Sequence, residues 1–373
     1  MDRHEIYRQT LTHFLSPIAG ALADPSVTEI MILGPEQAYV ERQGQLEPVE
    51  CHFPGTSWLE ALAQNIAEFA GRPLDSRNPS LDARLPDGSR VHVMLPPASR
   101  RGICITIRRF RHRSFSLQDL CQTGLLTGEA ADFLRLAVEF RRNIVLSGGT
   151  GTGKTTLLNS LAGTIPERER IIVIEDTSEL DLQQPHVVYL EAQPADDNGE
   201  GALTIRDLFV SSLRMRPDRI LIGEVRRGEA LDLIQSMISG HTGSLATVHA
   251  STPQDAASRL ETLCLSHDAA LPLYVARSQV GSALHLVVQI ERFRDGSRRI
   301  TAITECLGID DRQQYVWNDV FRFEADDQAV PDAVTGSLQW TGSRPSFADS
   351  LLQRGYAGSL REGRRLFTKP TSA

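Results

Sequence analysis

The chain has 373 residues, of which 41% are hydrophobic and 23% are charged, and it carries a formal net charge of −8 at pH 7. No apolar run approaches the roughly 18–20 residues that a transmembrane helix needs, so we expect a soluble globular protein. The acidic balance argues against a general nucleic-acid binder. The length exceeds what one hydrophobic core usually supports, which predicts two domains.

Neither the amino terminus nor the cysteines indicate export. Residues 1–14 alternate charged and apolar side chains and lack the apolar block of a signal peptide. The cysteines lie far apart and form no C-x-x-C pair, so we expect reduced thiols, no bound zinc and no disulfides. These cysteines are Cys51, Cys104, Cys121, Cys264 and Cys306. The sequence therefore predicts a cytoplasmic protein.

Residues 1–110 predict an α+β domain that has no nucleotide-binding motif of its own. Apolar residues recur at helical spacing over residues 3–22, and VTEIMILG has the pattern of a short buried strand. A hairpin is expected around residues 43–44. Ser57 and Glu60 are expected to form the capping box of a helix. The segments SRVHVMLPP and ICITIRRF are typical of further strands.

We expect residues 111–118 to be a linker and residues 119–373 to form the second domain. In that domain short apolar segments alternate with helical patterns, and the segments are NIVLS, IIVIE, VVYLE, RILIGE and SLATVH. Such alternation predicts an α/β fold with a mainly parallel sheet that is covered on both faces. Beyond residue 308, VWNDVFRF has a strand pattern and residues 347–354 have that of a last helix.

A phosphate-binding loop follows the first strand of the second domain. Gly148–Thr155 matches G-x-x-x-x-G-K-[ST] directly after a strand and at the start of a helix, as the motif requires. Its glycines allow positive φ, so that backbone N–H groups close around phosphate oxygens. We expect Lys154 to reach the β and γ phosphates, and the Thr155 hydroxyl to join a Mg²⁺ shell. The expected nucleotide-binding residues of the loop are Gly148, Gly149, Thr150, Gly151, Thr152, Gly153, Lys154, Thr155 and Thr156.

The distribution of basic residues supports this motif. Only two of the 39 basic residues are lysines, Lys154 and Lys369. The first lies where the loop needs a compact ammonium group, and a planar guanidinium is no substitute for it there. The sequence therefore predicts binding and hydrolysis of ATP with Mg²⁺.

Acidic residues follow two other strands of the same domain. Glu175 ends IIVIE, and Glu224 ends RILIGE. Because ligands bind at the carboxyl ends of strands in an open parallel sheet, we expect both to converge on the loop. Glu175 is the preferred general base for the attacking water, and Glu224 the residue that orients the Mg²⁺ shell. The alternative is that each caps the following helix, which applies more strongly to Asp176 and Glu179.

Two histidines bracket the segment SLATVH. His241 precedes the strand and His249 ends it. A histidine at a strand end is commonly a packed or surface residue, whereas two beside small residues in a nucleotide domain indicate that one contacts the γ-phosphate. We prefer His249, because it lies beyond the strand end.

Residues 88–118 carry seven arginines and no acidic residue. A run of charge is usually a solvated face, which we expect of Arg111 and Arg113. Arg90 and Arg108 lie in strand-like runs, where a phosphate would supply the partner that a guanidinium needs. A nucleic-acid surface is the rival interpretation, and the scarcity of interleaved aromatic residues weakens it.

These segments resemble the type II/type IV secretion ATPases, the motors of pilus assembly, protein secretion and conjugation. The matching nucleotide-domain segments are GGTGTGKTT, IEDTSEL, SSLRMRPDRILIGEVRRGEA and SGHTGSLATVHA. VTEIMILG, LPDGSRVHV and ITIRRF extend the resemblance over about residues 25–310. It implies a smaller, PAS-like α+β N-terminal domain, a flexible linker and a RecA-like P-loop ATPase core.

The resemblance also implies an assembly and a set of roles. ATP would lie between the two domains of each subunit in a hexameric ring. Glu175 would be the catalytic glutamate and Glu224 the second carboxylate, while His249 matches the histidine box. Arg90 and Arg108 would be phosphate-facing arginines of the first domain.

The carboxyl-terminal part of the sequence indicates which subgroup of the secretion ATPases the chain resembles. The zinc module with four cysteines that usually follows the core of type II assembly ATPases is absent from the sequence. The segments FRFEADD and LQWTGSRPSFADSLLQRG resemble the ending of the tight-adherence (Flp-type) pilus ATPases. We therefore prefer that group, with a conjugation-type ATPase as the second choice.

The expected function is that of a hexameric cytoplasmic ATPase that powers pilus assembly or protein secretion across the inner membrane. A platform protein of that membrane would be its partner. A nucleic-acid translocase on the same core is disfavoured by the charge of −8. A nucleotide switch without turnover is disfavoured by Glu175 and Glu224, since a switch needs no general base.

Overall fold

The structure is a computed structural model that describes residues 3–42, 44–109, 115–193, 195, 200–267, 270–326, 334–348 and 350. The chain divides into two compact units. The N-terminal unit comprises Met1–His112 and Ala195–Glu200, and the C-terminal unit comprises Arg113–Pro194 and Gly201–Ala373. Each has its own hydrophobic core. Of the predicted linker, residues 111–114 lie outside the described part of the chain.

The N-terminal unit is built on an antiparallel sheet. Its described helices are α1 (Arg3–Phe14), α2 (Ala19–Ala23) and α3 (Thr56–Ala70), with one 3₁₀ turn at Ser16–Ile18. Its described strands are β1 (Val27–Leu33), β2 (Ala38–Arg42), β3 (Gln45–Val49), β4 (Ser80–Arg84), β5 (Arg90–Met94) and β6 (Cys104–Arg108). Neighbouring strands pair antiparallel in the order β3-β2-β1-β6-β5-β4.

Alternation along the strands determines which face of this sheet is buried. In β5, Val91 and Val93 are buried whereas Arg90 is partly exposed. Side chains alternate between the two faces of a strand, so the valines face the core and the arginine faces away from it. Apolar residues of α1 and α3, such as Leu11 and Leu62, belong to the same core. The predicted α+β character of this region is confirmed.

One local prediction in the N-terminal unit is wrong. Helix α3 begins at Thr56, and no side chain caps it, so the capping box of Ser57 and Glu60 does not form. Gly55 holds the cap position with a φ of 150°, a conformation open mainly to glycine. The helical pattern over residues 3–22 corresponds to two helices, since α1 ends at Phe14 and α2 begins at Ala19.

The C-terminal unit contains a large mixed sheet. Its described helices are α4 (Leu117–Gln122), α5 (Gly128–Glu139), α6 (Lys154–Ala162), α7 (Ile205–Ser212), α8 (Glu229–Ile238), α9 (Pro253–His267) and α10 (Leu273–Ala283). Its described strands are β7 (Ile144–Gly148), β8 (Ile171–Glu175), β9 (Val187–Glu191), β10 (Arg219–Ile222), β11 (Leu245–Val248), β12 (Leu286–Arg292), β13 (Arg298–Ile309), β14 (Tyr315–Ala325) and β15 (Gly336–Trp340). The strand order is β15-β14-β13-β12-β7-β11-β10-β8-β9.

The strands from β9 to β12 in this order pair parallel, and β12 to β15 pair antiparallel. The five apolar segments predicted as strands all form strands of the parallel part. Every residue of β7 and of β8 is buried, as expected where both faces of a parallel sheet are covered. Two apolar clusters occupy the two faces, one including Leu146 and the other Val145. The predicted α/β class is thereby confirmed.

No helix among the described residues combines the length and the apolar character that crossing a membrane requires.

The strand order brings four chain segments to one edge of the sheet. β7, β11, β10 and β8 are consecutive neighbours and run parallel, so their carboxyl ends lie side by side. β7 ends at Gly148 and β8 at Glu175, while Glu224 and His249 follow β10 and β11 closely. Gly148, Glu175, Glu224 and His249 therefore share one edge.

Candidate active site

The phosphate-binding loop joins β7 to α6. Gly151 and Gly153 have φ angles of 71° and 100°, in the left-handed region that glycine accepts readily. A Cβ at Gly148 would overlap the carbonyl oxygen of Ile290 in the neighbouring strand β12, so only glycine fits there. Gly149 and Gly151 are exposed. The turn therefore places glycine backbone at the start of a helix, which is the arrangement typical of anion-binding loops.

Lys154 is the buried cation of this loop. Its side-chain Nζ donates hydrogen bonds to the carbonyl oxygens of Gly148 at 3.0 Å and Gly149 at 2.7 Å. Burial lowers the pKa of Lys154, and the negative charge of Glu224 partly opposes that shift. Because charged phosphate oxygens are stronger acceptors than carbonyls, the ammonium is prepared to exchange these contacts for a ligand.

The threonines of the loop differ in what they do. Thr152 is buried, and its hydroxyl donates a hydrogen bond to the carbonyl oxygen of Gly149 at 3.0 Å, which stabilises the turn. Thr150 is exposed, and Thr155 and Thr156 are partly buried in the first turn of α6. Thr152 is thus a structural member of the loop, whereas the position of Thr155 after Lys154 is the one expected for a metal-side hydroxyl.

Glu175 ends β8 with a buried carboxylate. Its side chain accepts hydrogen bonds from the backbone N–H groups of Glu179 at 2.9 Å and Leu180 at 3.1 Å. A Cβ at Gly223, beyond the end of β10, would lie only 2.9 Å from its Cγ. No described helix follows Glu175 before β9, so helix capping, the alternative interpretation, does not apply to this residue. The carboxylate is instead held by the segment that follows it.

A chain of polar and charged groups links three of the strand ends. His249 Nε2 lies 2.7 Å from Oε1 of Glu224, whose Oε2 lies 2.6 Å from the guanidinium of Arg226. The same guanidinium is 2.6 Å from Oδ2 of Asp176. Sequence reasoning assigned no role to Arg226. The adjacent arginines of GEVRRGEA, directly after Glu224, could have indicated a role for one of them. The contact with Asp176, which is distant in sequence, could be found only from the fold.

Backbone contacts fix this chain of groups. The Thr247 hydroxyl donates to the carbonyl of Gly223 at 2.6 Å, and the N–H of Val225 donates to the carbonyl of Thr247 at 2.9 Å. These bonds hold the segment around Glu224 against β11, which ends beside His249. Burial, followed by the charge of Lys154, lowers the pKa of His249, so the imidazole is neutral at pH 7.

The donor set suits a magnesium ion that is shared with a nucleotide. The described residues contain no group of three or more His, Cys, Asp or Glu side chains able to hold a metal. Magnesium binds through one or two protein oxygen ligands, waters and substrate phosphates, so such a group is not required. Thr155 and Glu224 supply oxygen donors of the right kind. Both Glu224 oxygens already have protein partners, which favours contact with the metal through water.

Other predicted residues lie elsewhere. His241 precedes β11 and is therefore at the opposite edge of the sheet from His249. Arg90 and Arg108 belong to the N-terminal unit, where they lie directly opposite each other on β5 and β6. Glu29 on β1 is directly opposite Arg108 in turn. Burial raises the pKa of Glu29, and the charge of Arg108 acts in the other direction.

The chain is similar to named secretion proteins along most of its length. Residues 13–316 match the family described as Type II/IV secretion system protein. A putative conjugal transfer protein of Mycobacterium tuberculosis is 34% identical over 301 residues, covering 79% of this chain and 85% of that protein. The type IV secretion system protein PtlH of Bordetella pertussis is 36% identical over 304 residues, covering 74% of this chain and 89% of that protein.

A solved structure shares the fold. The pilus retraction motor PilT with bound ADP has a TM-score of 0.56 against this chain and is 17% identical to it. The likeness covers 96% of this chain and 90% of that one. The predicted RecA-like core is thus confirmed. Since the family match spans most of the residues, the chain belongs to the type II/IV secretion system proteins, and it is an ATPase of the kind that powers secretion or pilus assembly.

Proposed function

We propose that this ATPase hydrolyses Mg-ATP at the sheet edge formed by β7, β8, β10 and β11, and that its turnover drives a pilus-assembly or secretion machine. The observation that carries the proposal is the meeting of four groups at neighbouring strand ends. These are the glycine-rich loop with Lys154, the buried Glu175, and the contacting pair of Glu224 and His249. A loop alone binds phosphate, whereas hydrolysis also needs groups that act on water and on the terminal phosphate.

Each residue of the site has a separate task in this proposal. Lys154 neutralises charge on the β and γ phosphates as the bond to the leaving oxygen breaks. Glu175 accepts a proton from the water that attacks the γ-phosphorus. Glu224 orients water in the metal shell, and His249 donates its Nε2–H to Glu224 and reaches the γ-phosphate side. A bound Mg²⁺ would be held by Thr155, Glu224 and phosphate oxygens, and would stabilise negative charge.

The N-terminal unit contributes cations in this proposal. Arg90 and Arg108 are side by side on one sheet face, so one phosphate group could meet two neighbouring guanidinium groups. Their contact with the γ-phosphate would differ between ATP and ADP. A ligand shifts a conformational equilibrium only through such a differential contact. The two arginines are therefore the proposed sensors that couple the N-terminal unit to hydrolysis.

The assembly that we propose is a hexameric ring in the cytoplasm, docked on an inner-membrane platform protein. The support for the ring is the resemblance to hexameric motors. For the machine there are two candidates: a tight-adherence pilus, which the carboxyl-terminal segments favour, and a conjugation-type secretion system. The relatives named for conjugal transfer and type IV secretion favour the second candidate.

Three measurements test this function: the rate of ATP hydrolysis, the mass of the assembly in solution, and the effect of DNA on the rate. The purified chain should release phosphate from ATP in the presence of Mg²⁺, and should form hexamers with a non-hydrolysable ATP analogue, as measured by light scattering. Single- and double-stranded DNA should leave the rate unchanged. Strong stimulation by DNA would replace the secretion motor with a nucleic-acid translocase, and full activity from a stable monomer would overturn the ring.

A further inference from the structure

A basic hairpin lies beside the phosphate-binding loop on the side away from the carboxylates. Strand β12 runs parallel to β7, with Ile290 opposite Gly148 where β7 ends. The chain then turns within residues 293–297 and returns as β13. Arg292 and Arg298 are directly opposite each other at the base of this turn. Like charges directly opposite each other disfavour strand pairing.

Arg298 reaches the loop itself. A Cβ at Gly153 would lie 3.6 Å from Cδ of Arg298, so the aliphatic part of this arginine packs over the residue that precedes Lys154. Arg298 is exposed. Within the described part of the chain its guanidinium has no hydrogen bond or ion pair, so its five donors remain available.

The neighbouring arginine in sequence has a structural task. The guanidinium of Arg299 donates to the carbonyl oxygens of Gly124 at 3.2 Å and Val334 at 3.3 Å. It also lies over the ring of Phe323, 5.8 Å from its centroid. Arg299 therefore anchors the hairpin to the rest of the unit, while the side chain of Arg298 on the same strand has its Cδ beside Gly153 of the loop.

The strand order indicates which part of a nucleotide Arg298 would meet. Glu175, Glu224 and His249 follow β8, β10 and β11, which all lie on one side of β7. β12 and β13 lie on its other side. Because the groups that act on the terminal phosphate lie on the first side, the α-phosphate and the nucleoside leave the loop on the second. That side carries Arg298.

We propose that Arg298 is a nucleotide-binding residue that contacts the α-phosphate end of the ligand in the loop. The inference rests on the proposed function, since it requires a nucleotide at Gly148–Thr156. A guanidinium matches the paired oxygens of a phosphate with two parallel hydrogen bonds. The α-phosphate is common to ATP and ADP, so Arg298 contributes affinity for both and does not discriminate between them.

Titration of the full chain with ATP analogue and with ADP tests this role. Arg298→Ala should raise Kd for both ligands by the same factor, about tenfold, as expected for loss of a charge-assisted hydrogen bond. KM for ATP should rise similarly while kcat changes little. Arg298→Lys should restore part of the affinity, since it keeps the charge and loses the fork. Arg294→Ala, at the exposed turn of the same hairpin, is the matched control and should bind as the wild type does.

The outcomes separate this inference from the proposed function. If the wild type bound neither nucleotide, the nucleotide site itself would be wrong. If the wild type bound both and Arg298→Ala bound them equally well, only the role of Arg298 would be wrong. A loss of affinity confined to the ATP analogue would move Arg298 to the γ-phosphate and overturn the assignment. Circular dichroism of each variant establishes that the fold is retained.

Discussion

The imidazole of His249 and the carboxylate of Glu224 are in direct contact, with 2.7 Å between Nε2 and Oε1. The two residues follow different strands, β11 and β10, and meet because those strands are parallel neighbours. An ionised carboxylate only accepts hydrogen bonds, so Nε2–H of His249 is the donor, and burial lowers the pKa of this histidine. Glu224 is consequently held from both sides, by His249 and by Arg226.

The first prediction concerns the loop cation. Lys154→Ala removes the buried ammonium that contacts Gly148 and Gly149. The variant therefore lacks the positive charge that we expect to neutralise the β and γ phosphates during hydrolysis. Steady-state phosphate release should fall by at least ~10²-fold. Lys369→Ala is the matched control, since Lys369 is the only other lysine. Wild-type turnover by Lys154→Ala would show that hydrolysis takes place elsewhere.

A second prediction concerns Arg226, which bridges Asp176 and Glu224. Arg226→Ala leaves the two carboxylates without their shared guanidinium, so Glu224 keeps the contact with His249 but loses one of the two contacts that fix its orientation. We expect kcat to fall about tenfold, with nucleotide affinity changed less. Arg227→Ala is the control, because the adjacent arginine is exposed and has no side-chain ion pair among the described residues. Equal losses from both substitutions would remove the special role of Arg226.

The third prediction tests the arginine pair of the N-terminal unit. Arg90→Ala or Arg108→Ala should reduce hydrolysis by up to ~10³-fold, the scale of an arginine finger. Each should also weaken any compaction that ATP causes, as measured by small-angle X-ray scattering.

The controls for this pair are Arg100→Ala, an exposed arginine of the same unit, and Arg111→Ala and Arg113→Ala. Arg111 and Arg113 lie outside the described residues, and we expect them to matter little. If the control variants were inactive and those at Arg90 and Arg108 active, the control arginines would be the functional surface. A nucleic-acid or acidic-lipid partner would then become the better explanation.

The fourth prediction concerns stability at acidic pH. His285 is partly buried, accepts a hydrogen bond from the N–H of Asn143 at 2.9 Å, and has its pKa lowered by desolvation to about 4. In the unfolded chain a histidine pKa is about 6.5. The contribution of neutral His285 to the free energy of unfolding is therefore fully present above about pH 6.5. It is lost as the pH falls towards 4, because the unfolded state binds the proton first.

Urea unfolding at pH 7.5 and pH 5 measures this effect. The wild type should lose about 2 kcal/mol of unfolding free energy from His285 between these values. His285→Gln should lose correspondingly less over the same interval, whatever its stability at pH 7.5. An unchanged pH dependence in that variant would show that His285 is not the titrating group.

Strong local patterns made much of the fold predictable. The loop could be placed because its motif follows the buried strand NIVLS and opens a helix, and Glu175 and Glu224 because each follows an apolar run. Strand β12 was not predicted, since a short apolar run after a helix does not distinguish strand from helix by periodicity. The capping box at Ser57 failed because Gly55 begins the helix through its backbone conformation.

Contacts between distant segments could not be predicted in the same way. The bridge from Arg226 to Asp176 joins the ends of β10 and β8, and it depends on their being neighbours in the sheet. The hydrogen bonds of Glu175 to Glu179 and Leu180 depend on how the segment after β8 folds back. Arg298 approaches Gly153 only because β12 pairs with β7. Sequence reasoning identifies such groups, and topology selects their partners.

The most direct test of hydrolysis at this site is the comparison of wild type with Glu175→Gln in single-turnover release of phosphate from bound ATP. The amide keeps the size of the side chain and its ability to accept backbone hydrogen bonds, but it cannot accept the proton of the attacking water. We predict that Glu175→Gln binds ATP with an affinity close to that of the wild type and hydrolyses it at least ~10²-fold more slowly. Hydrolysis of bound ATP at the wild-type rate by this variant would contradict the account.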